Sequence, residues 1–188
     1  MAKETLHFRI EGTRPLLMHS GALADPLNAI AKEMKRVSGK RAKTDADFEQ
    51  LAKLEFRGGL WLHQGAPCVP SHVLEAVFTE AARKSKKGKQ ATAGVVVPQN
   101  APLEYDGPKD PEQLWEQRDH YALTVGVRIQ RNKVMRTRPK FDKWGAEFDV
   151  EYETGLLNAN EVKEILETAG DQVGIGDWRP KFGLFRLA

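Results

Sequence analysis

Alternating apolar residues, two helical stripes with their own capping residues, and the order in which they follow one another predict an α+β fold. The expected core is an antiparallel sheet with two helices on one face. Residues 5–11 make the first strand: Leu6, Phe8 and Ile10 alternate with polar neighbours, and Gly12 and Pro15 end it. The apolar run Leu16-Leu17-Met18 follows and closes at Gly21. The residues 26–37 read as a helix with Pro26 in its first turn. Thr44-Asp45-Ala46-Asp47 has the form of a capping sequence for a second helix, which runs to about Phe56 before Gly58-Gly59. Ser71 is a good N-cap for the clearest helix, whose stripe is Val73, Leu74, Val77, Phe78 and Ala81.

Glycines and prolines then crowd residues 85–113, which read as a long and mostly irregular excursion. Residues 121–131 alternate again through Tyr121, Leu123, Val125, Val127 and Ile129. Residues 147–153 answer with Phe148, Val150 and Tyr152, as two antiparallel strands would. Asn158-Ala159-Asn160-Glu161 has capping-box spacing, Val162, Ile165, Leu166 and Ala169 form the stripe behind it, and Gly170 supplies a stop. Residues 182–187 make the last strand. Strand, helix, strand, strand, helix, strand is the ferredoxin-like split arrangement, βαββαβ, shared with RNA-recognition (RRM-like) domains. On this reading 1–188 is one domain, with insertions at about 22–58 and 85–118 and a basic hairpin arm at about 131–144.

Composition narrows the function classes. The chain has 188 residues, 40% of them hydrophobic, enough for one core. No apolar run reaches the ~18 residues of a membrane span, and the start has no apolar signal region, so a cytoplasmic protein is expected. Cys68 is the single cysteine, which excludes an internal disulfide and a cysteine-based zinc site. No two histidines stand at metal-ligand spacing, and no cofactor is expected. The net charge is only +3, yet the charge is sorted. Between Arg128 and Lys143 the chain carries Arg128, Arg131, Lys133, Arg136, Arg138, Lys140 and Lys143 against one acid, Asp142. A second basic run spans Arg83 to Lys89, while Glu147, Asp149, Glu151 and Glu153 alternate along one strand. Segregation of this kind is the electrostatic footprint of a nucleic-acid binder.

Three segments carry a likeness to a known family. Pro15-Leu16-Leu17-Met18-His19-Ser20-Gly21 after the first strand is similar to a Pro-Leu-His-Ile-Gly-Ser-Gly pattern. Gly65-Ala66-Pro67-Cys68-Val69-Pro70-Ser71 leads into a helix as that family's proline-and-capped-helix element does. Gly174-Ile175-Gly176-Asp177-Trp178-Arg179-Pro180-Lys181-Phe182-Gly183 resembles its C-terminal glycine-rich loop. In these features, from about residue 5 to the end, the chain resembles the RAMP superfamily, the repeat-associated proteins that form the RNA-lining backbone of CRISPR effector complexes. Met18-His19-Ser20 departs from the first motif, and Trp178 and the short loop depart from the third. A standalone or mobile-element relative reads the same way.

The candidate site residues follow. Gly174 and Gly176 let a backbone approach a ligand closely and offer amides to phosphate. Arg179 and Lys181 add charge, and Trp178 or Phe182 offers a stacking surface. The basic arm neutralises phosphates without reading sequence. His19 sits in the first-motif loop, a region that lines the RNA or supports cleavage in some family members. Asp25 lies in the next loop, where some effector backbones carry a cutting aspartate, and an acid beside Pro26 also suits a helix N-terminus. No catalytic set is assigned; His19 and Asp25 are the residues an enzyme would use. An acidic strand face repels phosphate, so nucleic acid is expected along the loops and arm, not across the sheet. The expected function is a binding protein for single-stranded nucleic acid, RNA ahead of DNA, that assembles side by side along the strand as a homo-oligomer or filament. The alternatives are a RAMP-type endoribonuclease, a single-stranded DNA-binding filament protein, and a structural subunit that binds no nucleic acid.

Overall fold

A computed structural model describes residues 2–129 and 132–188. Its main sheet is antiparallel. The first strand, β1 (Lys3–Gly12), is paired on both sides, and the two-residue β2 (Leu16–Leu17) leaves it for a second sheet. A 3-10 turn at Gly21–Ala24 leads to α1 (Ala29–Ser38), capped by Asn28, and α2 (Asp45–Gly59). In α2 the Thr44–Asp47 capping box forms as its spacing predicts, each side chain meeting the other's backbone amide. A tight turn at Gln64-Gly65, both with positive φ, joins β3 (Leu62–His63) to β4 (Ala66–Val69).

The helix α3 (Ser71–Lys84) starts one residue earlier than its serine suggests. Pro70 takes the cap position, and the Ser71 amide donates to Asn100 Oδ1 from a distant loop at 3.0 Å. The 85–113 stretch is not irregular. It holds α4 (Gly88–Gly94), β5 (Val95–Val96), β6 (Ala101–Glu104) and α5 (Pro111–Glu116), with a short turn α6 (Arg118–Tyr121) after it. β5 and β6 pair in succession with β9 (Gly145–Glu153). The residues 97–100 between them bulge toward α3, held by Val97 N–H donating to Glu75 and by Asn100.

The chain therefore takes its second core strand from 95–104, not from 121–131. β7 (Ala122–Ile129) pairs with β8 (Asn132–Phe141) instead, and β2 adds to β8, giving a separate three-stranded sheet. Alternation marked 121–131 as extended but could not say which strand it meets, and the 95–104 strand, within the stretch read as irregular, went unseen. The last helix, α7 (Ala159–Thr168), opens on the Asn158–Glu161 capping box. It does not stop at Gly170. A π-helical turn, Ala169–Val173, carries it to Gly174, whose φ of 79° ends it. Gly170 is there for another reason: a Cβ on it would lie 2.3 Å from the Phe185 carbonyl oxygen of the final strand, β10 (Phe185–Leu187).

The strand order is β10-β1-β9-β6-β4-β3. Within it, β10, β1, β9 and the β5/β6 edge joined by α3 and α7 form an α+β core of ferredoxin-like type. Phe8, Ile10, Phe148, Val150 and Tyr152 point to one face and are buried against α3 and α7 through Leu74, Val77, Phe78, Val162 and Ile165. Among the described residues the opposite face carries no helix. There Arg9 pairs with Glu147 at 2.8 Å and Glu104 at 3.1 Å, and His7 Nδ1 meets Asp149 at 2.8 Å. Among the described residues no helix is long and apolar enough to cross a membrane.

Candidate functional site

Three sequence-remote segments meet where β2 joins β8. Met18 N–H donates to the Pro139 carbonyl at 3.0 Å, which seats the His19 loop against the hairpin base. Asp177 N–H donates to the Leu17 carbonyl at 2.8 Å, and Gly183 N–H to that of Pro15 at 2.8 Å. The glycine-rich loop thereby closes over the same two-residue strand.

Arg138 ties the set together. Its Nη1 lies 2.6 Å from Glu55 Oε1 on α2, and its Nε lies 2.9 Å from Asp177 Oδ2 on the glycine loop. The second oxygen of Glu55 accepts from the Thr137 backbone amide at 2.9 Å. The Glu55 and Arg138 side chains are 8% and 9% exposed, so this pair is shut away from water, while Asp177 is 24% exposed. Removing one member of such a network strands its partner's charge. Arg138, expected to meet phosphate, is instead a buried structural cation. Its neighbour Arg136 is 32% exposed and 3.6 Å from the same carboxylate.

The rest of the hairpin divides by position. Arg128 and Lys133 are cross-strand partners near its outer end, both exposed. Arg131 lies outside the described residues. Lys140, at the base, pairs with Asp142 at 3.2 Å, and Lys143 is exposed in the following turn. From Ala122 to Phe141 the sequence has no carboxylate at all. In the second basic run, Lys87 pairs with Glu161, while Arg83, Lys86 and Lys89 line a broad hollow of about 670 Å3 at the end of α3 and on α4.

His19 is largely exposed beside this network. The water its ring does lose, and then the Arg138 guanidinium, lower its pKa; Asp177 and Glu55 pull the other way with less effect. Asp25 is exposed, and its carboxylate accepts from the Leu27 amide at 2.8 Å, a local turn bond ahead of α1. Pro26 accordingly lies outside the helix, whose cap is Asn28.

The glycine loop is shaped first by its own chain. Gly174, Gly176 and Gly183 all have positive φ. A Cβ on Gly176 would lie 2.1 Å from the Leu17 carbonyl oxygen, and one on Gly174 would lie 3.1 Å from the Gly183 carbonyl. The close approach these glycines permit is to β2 and to the loop's own return strand. Arg179 Nη1 reaches Glu80 on α3 at 3.1 Å and the Gly174 carbonyl at 3.3 Å. Lys181 is exposed, and Trp178 is half-buried beside a cleft of about 430 Å3.

Glu55 and Asp177 are the residues of this candidate site that pattern reading misses. Glu55 sits mid-helix, where an acid reads as a solvated face. The only hint was a run of arginines alternating along a strand, which places Arg136 and Arg138 on one side of it and demands a counter-charge there. Compared with models of protein families and with curated proteins, the chain matches none.

Proposed function

We propose that this protein binds single-stranded nucleic acid, RNA ahead of DNA, and that copies assemble side by side along the strand. The observation that carries the reading is a carboxylate-free hairpin, with Arg128 and Lys133 exposed on it, fastened through Arg138 and Asp177 to a glycine-rich loop. A strand running past hairpin and loop meets Arg136 on one face of the hairpin, Arg128 and Lys133 on its other face, and Lys143, Lys181 and Trp178 beside it. The cations neutralise phosphates and release counterions, an attraction blind to sequence. The resemblance of the His19, Pro70 and glycine-loop segments to the RAMP superfamily favours RNA over DNA. The open sheet face does not take part: Glu147, Asp149, Glu151 and Glu153 outnumber the Lys3 and Arg9 cations set opposite them.

The test is direct. The absorbance ratio of the purified protein at nucleic-acid and protein wavelengths, and the identity of whatever strand co-purifies, separate a binder from a purely structural subunit. A binder's affinity for labelled oligonucleotides falls with salt at a log–log slope near −0.7 per phosphate contact. Salt-insensitive binding, or none, removes this reading.

A second reading, an endoribonuclease, rests on His19, an exposed imidazole whose lowered pKa keeps it neutral and able to accept a proton near pH 7. Labelled RNA left intact by the protein rules it out. RNA that is cut, with the cutting lost in His19→Ala, would establish it.

A further inference from the structure

Trp178 differs from the other tryptophans of the chain. Trp61, Trp115 and Trp144 are 8%, 7% and 5% exposed and belong to the core. Trp178 is only half-buried, and its backbone has φ 52°, a left-handed conformation that bulky side chains adopt at a cost. The loop holds it there: Trp178 N–H donates to Asp177 Oδ1 at 3.0 Å, and its carbonyl accepts from Phe182 N–H at 3.2 Å. Its indole leans on the Phe182 ring at 6.1 Å and borders a cleft of about 430 Å3 walled by Glu80, Gln172, Gly176, Asp177 and Arg179. That volume falls within the roughly 300–1,000 Å3 of small-molecule sites.

We propose that this cleft is a nucleobase pocket, in which one base of the bound strand leaves its neighbours and stacks on Trp178. The inference rests on the single-strand-binding reading and adds what the glycine loop recognises. The charges of the walls decide between base and phosphate. Arg179 is spent on Glu80 and the Gly174 carbonyl, and Asp177 on Arg138. With its cation and its carboxylates already paired, the cleft offers phosphate little. What it offers is an aromatic face and the exposed amide of Gln172, which both donates and accepts and so suits the edge of any base. Stacking of this kind tolerates every sequence, because every base has a π-face. The hairpin then holds phosphates while the loop holds a base.

Two oligomers of about ten nucleotides, within the site sizes of single-strand binders, make the test. One is oligouridylate; the other has the same phosphates and sugars without bases. With the three other tryptophans in the core, quenching of tryptophan emission reports Trp178. Oligouridylate is expected to quench the emission, and the abasic oligomer to bind more weakly without quenching. Trp178→Ala is expected to lose about tenfold or more in affinity for oligouridylate, the scale of one base–aromatic stack, and nothing for the abasic oligomer. Trp178→Phe keeps a ring and most of the affinity. Gln172→Ala, on the exposed wall, is expected to weaken oligouridylate alone, and it decides the matter if Trp178→Ala does not fold. A parent that binds the two oligomers equally, or a folded Trp178→Ala that binds oligouridylate as the parent does, overturns the pocket while leaving the binding reading intact. A parent that binds neither oligomer at low salt overturns both.

Discussion

At the scale of single residues, surroundings decide what a charge does. Arg128 and Arg138 look alike in the sequence, ten positions apart in one basic run, yet one is exposed and the other is closed between Glu55 and Asp177. Arg138→Ala takes from the buried Glu55 carboxylate its nearer cation and leaves it only Arg136 at 3.6 Å, and breaking a buried pair costs about 3–5 kcal/mol. For a chain of this length that is a fall in Tm of roughly 6–20 °C, read by thermal melting. Arg128→Ala and Lys133→Ala remove only solvated charge and are expected to melt as the parent does. On the proposed function their effect is expected in binding: each should lower affinity for single strands and flatten the salt slope by one contact, about 0.7. The opposite pattern, a stable Arg138→Ala that loses binding and an unstable Lys133→Ala, would mean that the network has been misassigned.

Asp47 gives the residue scale its pH dependence. The Lys40 ammonium at 2.5 Å, followed by the Thr44 amide and hydroxyl, holds its carboxyl down to about 2. An unfolded aspartate titrates near ~3.9. The folded state therefore favours the ionised form. This stabilisation is fully present above about pH 4 and is lost as the pH falls from there through about 2. Because Asp47 completes the capping box of α2, the loss is expected as fraying of the 29–59 helices, seen as faster amide exchange there. Asp47→Asn should exchange fast in that segment already at neutral pH, and equal protection in both proteins at pH 7 would refute the assignment.

At the scale of elements, the glycine loop and the hairpin behave as one unit. Gly176→Val puts a side chain where the Leu17 carbonyl stands and forces a β-branched residue to φ 93°. It is expected to lose thermal stability before it loses affinity, because the glycine serves contact with β2. An unchanged Tm with weakened binding would restore the glycine's direct role toward a ligand. The sequence foretold the capping boxes of α2 and α7 and the β1 and β9 alternation, since capping spacing and period-two patterns are local. It foretold neither the pairing of β7 with β8 nor the strand at 95–104. Both are choices among partners of similar pattern, and Pro98, in the break between β5 and β6, and Pro102 disguised a strand that lies between β9 and β4. The site was legible in the same proportion. The basic run and the glycine loop stood out as types, but their joining through Glu55, Arg138 and Asp177 is a tertiary event with no local signature.

At the scale of the whole molecule, opposite charge is carried on different surfaces. The hairpin bears cations without a single carboxylate, while the helix-free sheet face carries Glu11, Glu104, Glu147, Asp149, Glu151 and Glu153 against Lys3, Arg9 and Arg186. A molecule so polarised does not pair well with itself through identical patches, because like charge would face like. Contacts between unlike patches suit it better, and such heterologous contacts propagate along a line when they do not close into a ring. On the proposed function, a bound strand would supply the line and raise the local concentration of neighbours. The expected outcome is a mass in sedimentation that grows with the length of the oligonucleotide, in steps of one 21.1 kDa subunit. An oligomer too short for two subunits should carry one. The assembly should weaken with salt faster than the binding of a single subunit does, since it adds screened contacts between subunits to those with phosphate. A protein that stays monomeric on strands of every length would leave the single-strand-binding surface standing and remove the side-by-side assembly from the proposal.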